Sequence, residues 1–470
     1  MPVSPENPRH DQPVIRRVAS YALDLLRLHE LHPARYPHLL QSTTPGPQAG
    51  YDILFAYPEE SLWLDAGGEL HGGSTQSDFL TALDFAWGRS KAHRNDDVAA
   101  LPFRGGWFLY LGYELAGQIE PRLRLPRPTA GPPVAIATRF RSALVRDHRD
   151  TSLWLMTEPG TEDRLDAMAL DVAVATDHEP PSGADIPSVS ISEDDPAQYL
   201  AMVRRTLDYI RDGDVFQANL ARTWRAKFAS EVPPAQLYRR LRAHNPGPFN
   251  GLATWPGQAV ISSSPERLVR VRGSSIDTRP IAGTRPRGQG VVADAAQSSE
   301  LLAHPKERAE HIMLIDLERN DLGRVCEPGS VQVDELMALE SYAHVHHIVS
   351  NVQGRLRAGV TPGQVIRALF PGGTITGCPK VRCMEIIAEL EGRARGAYTG
   401  SMGYLNRDGD LDLNILIRTL EQQGNSVELR AGAGIVADSD PDQELAETRA
   451  KARGLLLALS QAPLPGPTSE

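Results

Sequence analysis

Residues 400–436, "GSMGYLNRDGDLDLNILIRTLEQQGNSVELRAGAGIV", contain three strand-like runs in succession with no helical period between them. The runs are "GSMGYL", "LNILIRTL" and "SVELRAGAGIV", and each is rich in residues that suit a pleated surface. Strands that follow one another without a helix pair antiparallel, whereas parallel neighbours need a long crossover. Outward from this stretch, further strands are expected at "VFQANLA" (215–221), "AVISSSP" (259–265) and "HVHHIVSNV" (344–352). Helices are expected at "HPKERAEHIMLIDLER" (304–319), "TPGQVIRALF" (361–370) and "DQELAETRAKARGLLLAL" (442–459), where apolar residues recur with helical spacing. Another helix opens at Asp195 and Pro196, cap and first-turn residue. The pattern predicts an α+β chain built on antiparallel sheets.

At 470 residues and 41% hydrophobic content, the chain can bury a sizeable core. Lys and Arg number 49 against 59 acidic residues, so the basic field that drives nucleic-acid binding is missing. No segment has the length of a membrane span, and the first thirty residues carry charges throughout, unlike a secretory signal. Cys326, Cys378 and Cys383 form no CxxC pair, which argues against a zinc site or a disulfide framework. A cytoplasmic protein is expected. "DHEPPSGADIPSVS" (177–190) has linker composition. It suggests an N-terminal region 1–176, a linker 177–194 and a second domain 195–460. In the first part, "PVIRRVASYALDLLRL" (13–28) reads as an amphipathic helix ahead of strands in "YDILFAYP" and "GGWFLYLGYEL".

Several constellations could carry chemistry. Glu307 with Glu310, and Glu444 with Glu447, are i, i+3 pairs that share a helix face. They are either solvated acidic faces or two halves of a hard-cation site. In "VFQANLA" the alternation puts Phe216, Ala218 and Leu220 on one face and the amides Gln217 and Asn219 on the other. Gly432 and Gly434 let a ligand approach backbone N–H groups, or mark a bulge. Arg418, read on a strand face opposite Ile415 and Ile417, suits a carboxylate, and Lys451 lies one helical turn beyond Glu447. In "HVHH", strand alternation separates His347 from His344 and His346, which opposes a metal cluster. "DTRPIAGTRPRG" (277–288) places Arg279, Arg285 and Arg287 around a small turn. An anionic guest or a solvated basic turn both fit. "FPGGTITGCPK" (370–380) lacks the Walker spacing. Glu266 in "SSSPERL" would need burial to act as a general acid.

Taken in order, "SSSPERL", "DTRPIAGTRPRG", "ERAEHIMLIDLERNDLGRV", "HVHHIVSNV", "FPGGTITGCPKVRCMEII", "YTGSMGY", "IRTL" and "AGAGIVADSDPDQELAET" resemble the chorismate-utilising enzymes. The motif order matches that of the anthranilate synthase and aminodeoxychorismate synthase component I branches. The resemblance implies two large antiparallel sheets stacked with helices outside and the active site between them. It implies chorismate as substrate and Mg²⁺ as cofactor, with Glu310 and Glu447 as ligands and Glu307 and Glu444 supporting them through water. Thr374, Tyr398, Arg418, Lys451 and the backbone at Gly432 and Gly434 would hold the enolpyruvyl carboxylate. Glu266 would protonate the leaving hydroxyl, and His347 would line the ring. "YPHLLQST" resembles the family's tryptophan-binding segment, with Ser42 at the serine position.

Within the family, Asn219, Gly373 and the short N-terminal part point to the aminodeoxychorismate branch. Ala282 points the other way, because some members of that branch carry a nucleophilic lysine there. No amidotransferase signature is visible, so ammonia is expected from solution or from a separate glutamine amidotransferase subunit. A non-catalytic chorismate-binding or scaffold relative would have no need for the carboxylate set.

Overall fold

The computed structural model describes residues 12–18, 23–44, 50–73, 78–94, 101–129, 131–177, 186–288, 290–341 and 345–460. Its strands form one antiparallel hydrogen-bonded network with two arms, joined through the 13-residue strand Ala135–Asp147. One edge of that strand pairs with Tyr51–Leu64, and the other with Gly106–Leu111 and Leu153–Thr157. The first arm continues through His38–Gln41, Phe249–Trp255, Gln258–Ser264, Thr419–Gln423, Ser426–Ile435 and Gln217–Phe228. The second runs through Ser401–Asn406, Leu411–Asn414, Arg267–Arg272, Ser275–Arg279 and Val345–Arg355. Val345–Arg355 also pairs with Ile281–Pro286 and Gln332–Ser341.

The arms face each other across an apolar layer. Phe55, Ala253 and Val260 from the first arm share it with Phe108, Tyr110, Met402 and Tyr404 from the second. Burial of such aromatic area is the main force that keeps the layers together. Helices cover the outer faces. Leu26–Leu31, Asp163–Asp177, Pro234–His244 and Pro441–Leu459 pack on the first arm. Phe79–Ser90, Pro305–Gly323 and Pro362–Leu369 pack on the second. This is the expected stacked α+β architecture, with the refinement that the two layers are continuous through Ala135–Asp147.

Two local readings change. Val14–Val18 is a strand paired with Leu153–Thr157 rather than the start of a helix, and helix begins only at Leu26. Two valines and an isoleucine in five residues suit the edge of a sheet, and the partner strand lies far along the chain. "LNILIRTL" is broken: strand ends at Asn414, resumes at Thr419, and Arg418 between them has φ 52°. The interruption has a tertiary cause, since Leu416 N donates to Gly400 O at 2.8 Å and Leu416 O accepts from Thr399 N at 2.7 Å. Residues 178–185 of the expected linker lie outside the described residues, and Val189–Glu193 pairs with Gln217–Phe228.

Candidate active site

Both faces of the strand Gln217–Phe228 are buried near its start. Ala218 and Leu220 pack against helices, which leaves Gln217 and Asn219 on the opposite face. Gln217 Nε2 donates to Glu310 Oε1 at 2.9 Å. The next strand puts Gly434 opposite Asn219 and Gly432 opposite Ala221. A Cβ at Gly432 would lie 2.5 Å from Leu220 O, 2.7 Å from the Tyr398 hydroxyl and 2.9 Å from Asn219 Oδ1. At Gly434 it would lie 2.2 Å from Gln217 Nε2. The two glycines are therefore set by how closely side chains from neighbouring segments approach this strand.

Two helices bring the carboxylates. Pro305–Gly323 carries Glu307 and Glu310, both half-buried. Pro441–Leu459 carries buried Glu444 and exposed Glu447. Burial, reinforced by the charges of Glu307 and Glu447, pushes the Glu310 carboxyl up to about 7 against the pull of Lys451 and Gln217. Like charges crowded around a partly desolvated carboxyl are what a hard dication relieves. Lys451 Nζ spans two parts of this region, at 2.7 Å from Glu447 Oε1 and 3.0 Å from Gly432 O. Among the described residues, the three-donor group gathered within 4.8 Å is Asp65, Glu69 and His71 at the surface, not these glutamates.

Glu266 feels the charge of the same Lys451 and is 4% exposed. Its Oε1 accepts from the Thr374 hydroxyl at 2.8 Å. Burial raises its carboxyl to about 7, although Thr374, the Ile281 backbone, Lys451 and Arg418 all pull it down. The carboxyl therefore keeps a proton near neutrality while cations face it. His347 is buried, and burial followed by the charge of Arg418 lowers its imidazole to about 3, so it is neutral at physiological pH. Its strand neighbour His346 points away to Ser341 and Asp294, at 2.7 and 2.9 Å. The alternation read from the sequence holds for this pair, and His344 lies outside the described residues.

Hydrogen bonds, mutual charge effects and close approaches thus connect Glu266, Thr374, His347, Arg418, Lys451, Gly432, Gly434, Tyr398 and the glutamate helices. Ser42 stands apart. It lines a separate cavity of about 320 Å³ with Leu40, Phe249, Asn250, Met402 and Asn414. Its buried hydroxyl has no hydrogen-bond partner among the described residues.

The basic turn requires a correction. Arg279 is taken up by Glu340 at 2.6 Å and Glu335 at 2.5 Å, and Arg287 by Asp294 at 2.7 Å. These arginines hold the protein's own carboxylates, so an anionic guest is not what they pair with; the side chain of Arg285 lies outside the described residues. What the turn contributes is Gly283, at φ 67°, where a Cβ would lie 2.9 Å from Glu307 Oε2.

A known family covers this whole region. The match, described as chorismate binding enzyme, spans residues 36–457. The chain belongs to the chorismate-binding enzyme family. It is 47% identical over 363 residues to an anthranilate synthase component I-like protein of Synechocystis, covering 76% of this chain and 73% of that one. It is 43% identical over 368 residues to aminodeoxychorismate synthase component 1 of Bacillus subtilis, covering 76% and 77%. Anthranilate synthase component I of Streptococcus pneumoniae superposes with a TM-score of 0.77 at 32% identity, covering 87% of this chain and 93% of that one. This chorismate-utilising enzyme thus has relatives named for two different products. Among the described residues, no helix is long and apolar enough to cross a membrane.

Sequence reasoning missed the support beneath Tyr398. Arg395 is 1% exposed, and Thr399 has φ 63°, an unusual conformation for a β-branched residue. The only signal available was the run "RGAYTG" (395–400), whose Arg and Thr carry no periodicity.

Proposed function

We propose that this enzyme aminates chorismate with ammonia to give 4-amino-4-deoxychorismate, the precursor of p-aminobenzoate and folate. The observation that carries the reading is Glu266, a buried carboxyl raised to about 7 beside Thr374 and within reach of the charges of Arg418 and Lys451. A proton-bearing acid in a cation-lined site suits a dicarboxylate substrate that must lose hydroxide. Arg418, Lys451, Tyr398 and Thr374 orient the enolpyruvyl carboxylate, and Gly432 and Gly434 admit it close to the backbone. The ring C4–O bond breaks as Glu266 gives its proton to the departing oxygen, which leaves as water. Ammonia forms the C4–N bond, and the Glu266 carboxylate takes a proton from the new ammonium group, so the acid is restored. Neutral His347 flanks the ring.

The crowded donor set of Glu310, Glu447, Glu307 and Glu444 fits Mg²⁺, with Glu310 and Glu447 as ligands and the other two acting through water. Bound there, the ion would neutralise the ring carboxylate. The relatives' designation as component I or 1 supports ammonia delivery by a separate glutamine amidotransferase subunit. The Ser42 cavity is the proposed tryptophan site, and a cytoplasmic location accompanies the reading.

Amination at C4 is supported by Asn219. Its Oδ1 is buried, has no partner among the described residues, and approaches Gly432 beside Tyr398. Such an acceptor gains from a donor on the substrate or on incoming ammonia. Ala282 favours a second reading, anthranilate formation by attack at C2 with loss of pyruvate, because no lysine is present to occupy that carbon. The test is product analysis with chorismate, Mg²⁺ and ammonium, with and without aminodeoxychorismate lyase. Lyase-dependent p-aminobenzoate is expected; fluorescent anthranilate formed without lyase would establish the second reading.

A further inference from the structure

Arg395 occupies a place that chemistry at the substrate does not explain. Its guanidinium is enclosed between two aromatic rings, with centroid distances of 5.0 Å to Tyr113 and 5.5 Å to Tyr398. All five of its N–H donors find acceptors. Nε donates to Glu391 Oε2 at 3.0 Å, one terminal nitrogen to Ile375 O and Thr399 Oγ1 at 3.2 and 3.3 Å, and the other to Asn219 O and Glu391 Oε1 at 2.7 and 2.5 Å. A buried ion pair is weak evidence for stability, since apolar side chains of similar volume often serve as well. The acceptors suggest what it does instead. Ile375 follows Thr374, the partner of Glu266; Asn219 faces Gly434 across the sheet; Thr399 follows Tyr398.

The turn that contains Arg395 is held with equal care. Glu114 accepts from the backbone N–H groups of Arg395 and Gly396 at 2.7 and 3.1 Å, and Glu421 from that of Ala397 at 2.9 Å. The turn ends on Thr399, whose left-handed backbone is retained by its N–H, which donates to Leu416 O, and by its hydroxyl, which accepts from Arg395. A β-branched residue keeps that conformation only where its surroundings over-determine it.

We propose that Arg395 is a positioning residue that fixes the Tyr398–Thr399 turn against the Thr374 loop and the Asn219 strand, so that the carboxylate grip and the general acid share one geometry. The inference rests on the proposed chorismate reading for its kinetic consequence but not for its structural one. Lysine offers three donors and no planar fork, so Arg395→Lys leaves acceptors unmet while it retains the charge.

Amide hydrogen exchange of Arg395→Lys without substrate is expected to show roughly tenfold faster exchange at Thr399 and Gly400, with Leu39 and Leu40 unchanged. With chorismate and ammonium, kcat/KM is expected to fall roughly tenfold or more, mainly through KM. In a Tyr398→Phe background the same substitution is expected to raise KM at most about threefold, because the hydroxyl it aims is gone. Unchanged exchange at the turn, or the same KM penalty in both backgrounds, overturns the proposal. Failure of the wild-type protein to turn over chorismate would sink the functional reading and leave the exchange result to judge Arg395. Should Arg395→Lys not fold, Thr399→Ala removes the hydroxyl that accepts from Arg395 and donates to Tyr398 O, and leaves the guanidinium in place. It is expected to move exchange and KM the same way by roughly threefold, and wild-type values for both overturn the inference.

Discussion

Replacing Glu266 by glutamine separates what this carboxyl does for chemistry from what it costs the fold. Its carboxyl is raised from 4.5 to about 7, chiefly by burial. A folded-state value above the unfolded one means that stability is fully present below the unfolded value and is lost as pH rises through the folded value. The window therefore opens near pH 4.5 and closes just above pH 7. Once both states are ionised, the buried carboxylate costs about 3 kcal/mol. Glutamine keeps the shape and the contact with Thr374 but never ionises. Glu266→Gln should match the wild-type stability near pH 4.5 to within about 1 kcal/mol and exceed it by about 3 kcal/mol at pH 8.5. For a chain of this length that is roughly 3 °C in the thermal midpoint. Turnover should fall about 10²- to 10⁴-fold while chorismate binding changes little. Wild-type turnover at constant free ammonia should decline above pH 7, because the acid must carry its proton. The assays are thermal unfolding at the two pH values and steady-state kinetics across them. A variant less stable than wild type at pH 8.5, or a wild-type rate that rises through pH 7, would refute the reasoning; a change confined to KM would make Glu266 a binding group only.

Glu310→Gln removes a carboxylate from the crowded set, so at limiting Mg²⁺ turnover should drop about a hundredfold or more with the fold retained, checked by kinetics and circular dichroism. Gly432→Ala places a methyl 2.5 Å from Leu220 O and 2.7 Å from the Tyr398 hydroxyl, so chorismate affinity should fall at least about tenfold, measured by titration calorimetry, at a stability cost of about 1–3 kcal/mol. The purified chain should use ammonium salts directly and glutamine only when a partner amidotransferase is added; glutamine-dependent turnover by the single chain would refute this.

Much of this fold was legible because it rests on local patterns. Consecutive strand-like runs in 400–436 predicted antiparallel pairing, and the i, i+3 glutamates were correctly placed on helices. The misreadings arose where distant partners override local preference. "VIRRV" carries apolar spacing that suits a helix, but pairing with Leu153–Thr157 makes it a strand. Arg418 reads as a strand residue, yet the bonds between Leu416 and the 399–400 turn break the strand there. The charges of "DTRPIAGTRPRG" were plain, whereas the acceptors of Arg279 lie 56 and 61 residues away. Arg395 was invisible for the same reason: its role exists only once Asn219, Ile375 and Glu391 meet around it.

This dependence on distant partners also changes what the residues say about the product. Gly373 points to C4 amination only through the family resemblance, in which the other branch usually has alanine at that position. In the fold, a Cβ at Gly373 would lie 2.4 Å from Leu317 Cδ2 and 2.8 Å from Leu317 Cγ. Leu317 belongs to Pro305–Gly323, the helix that also carries Glu307 and Glu310. A glycine there lets the Thr374 loop settle on that helix, so it records packing rather than the choice of ring carbon. Asn219 and Ala282 are different, because neither is explained by a packed neighbour alone. Asn219 holds a buried acceptor with no partner among the described residues, beside Gly432, and Ala282, 6% exposed, lies across the sheet from Ile348 with no nucleophile of its own. Under either proposed reading the ring would be clamped at its carboxylates, so about an ångström in the approach of ammonia would separate C4 from C2. Of the two residues that point to C4, packing accounts for Gly373 and leaves Asn219, which Ala282 opposes by standing where a lysine would occupy C2.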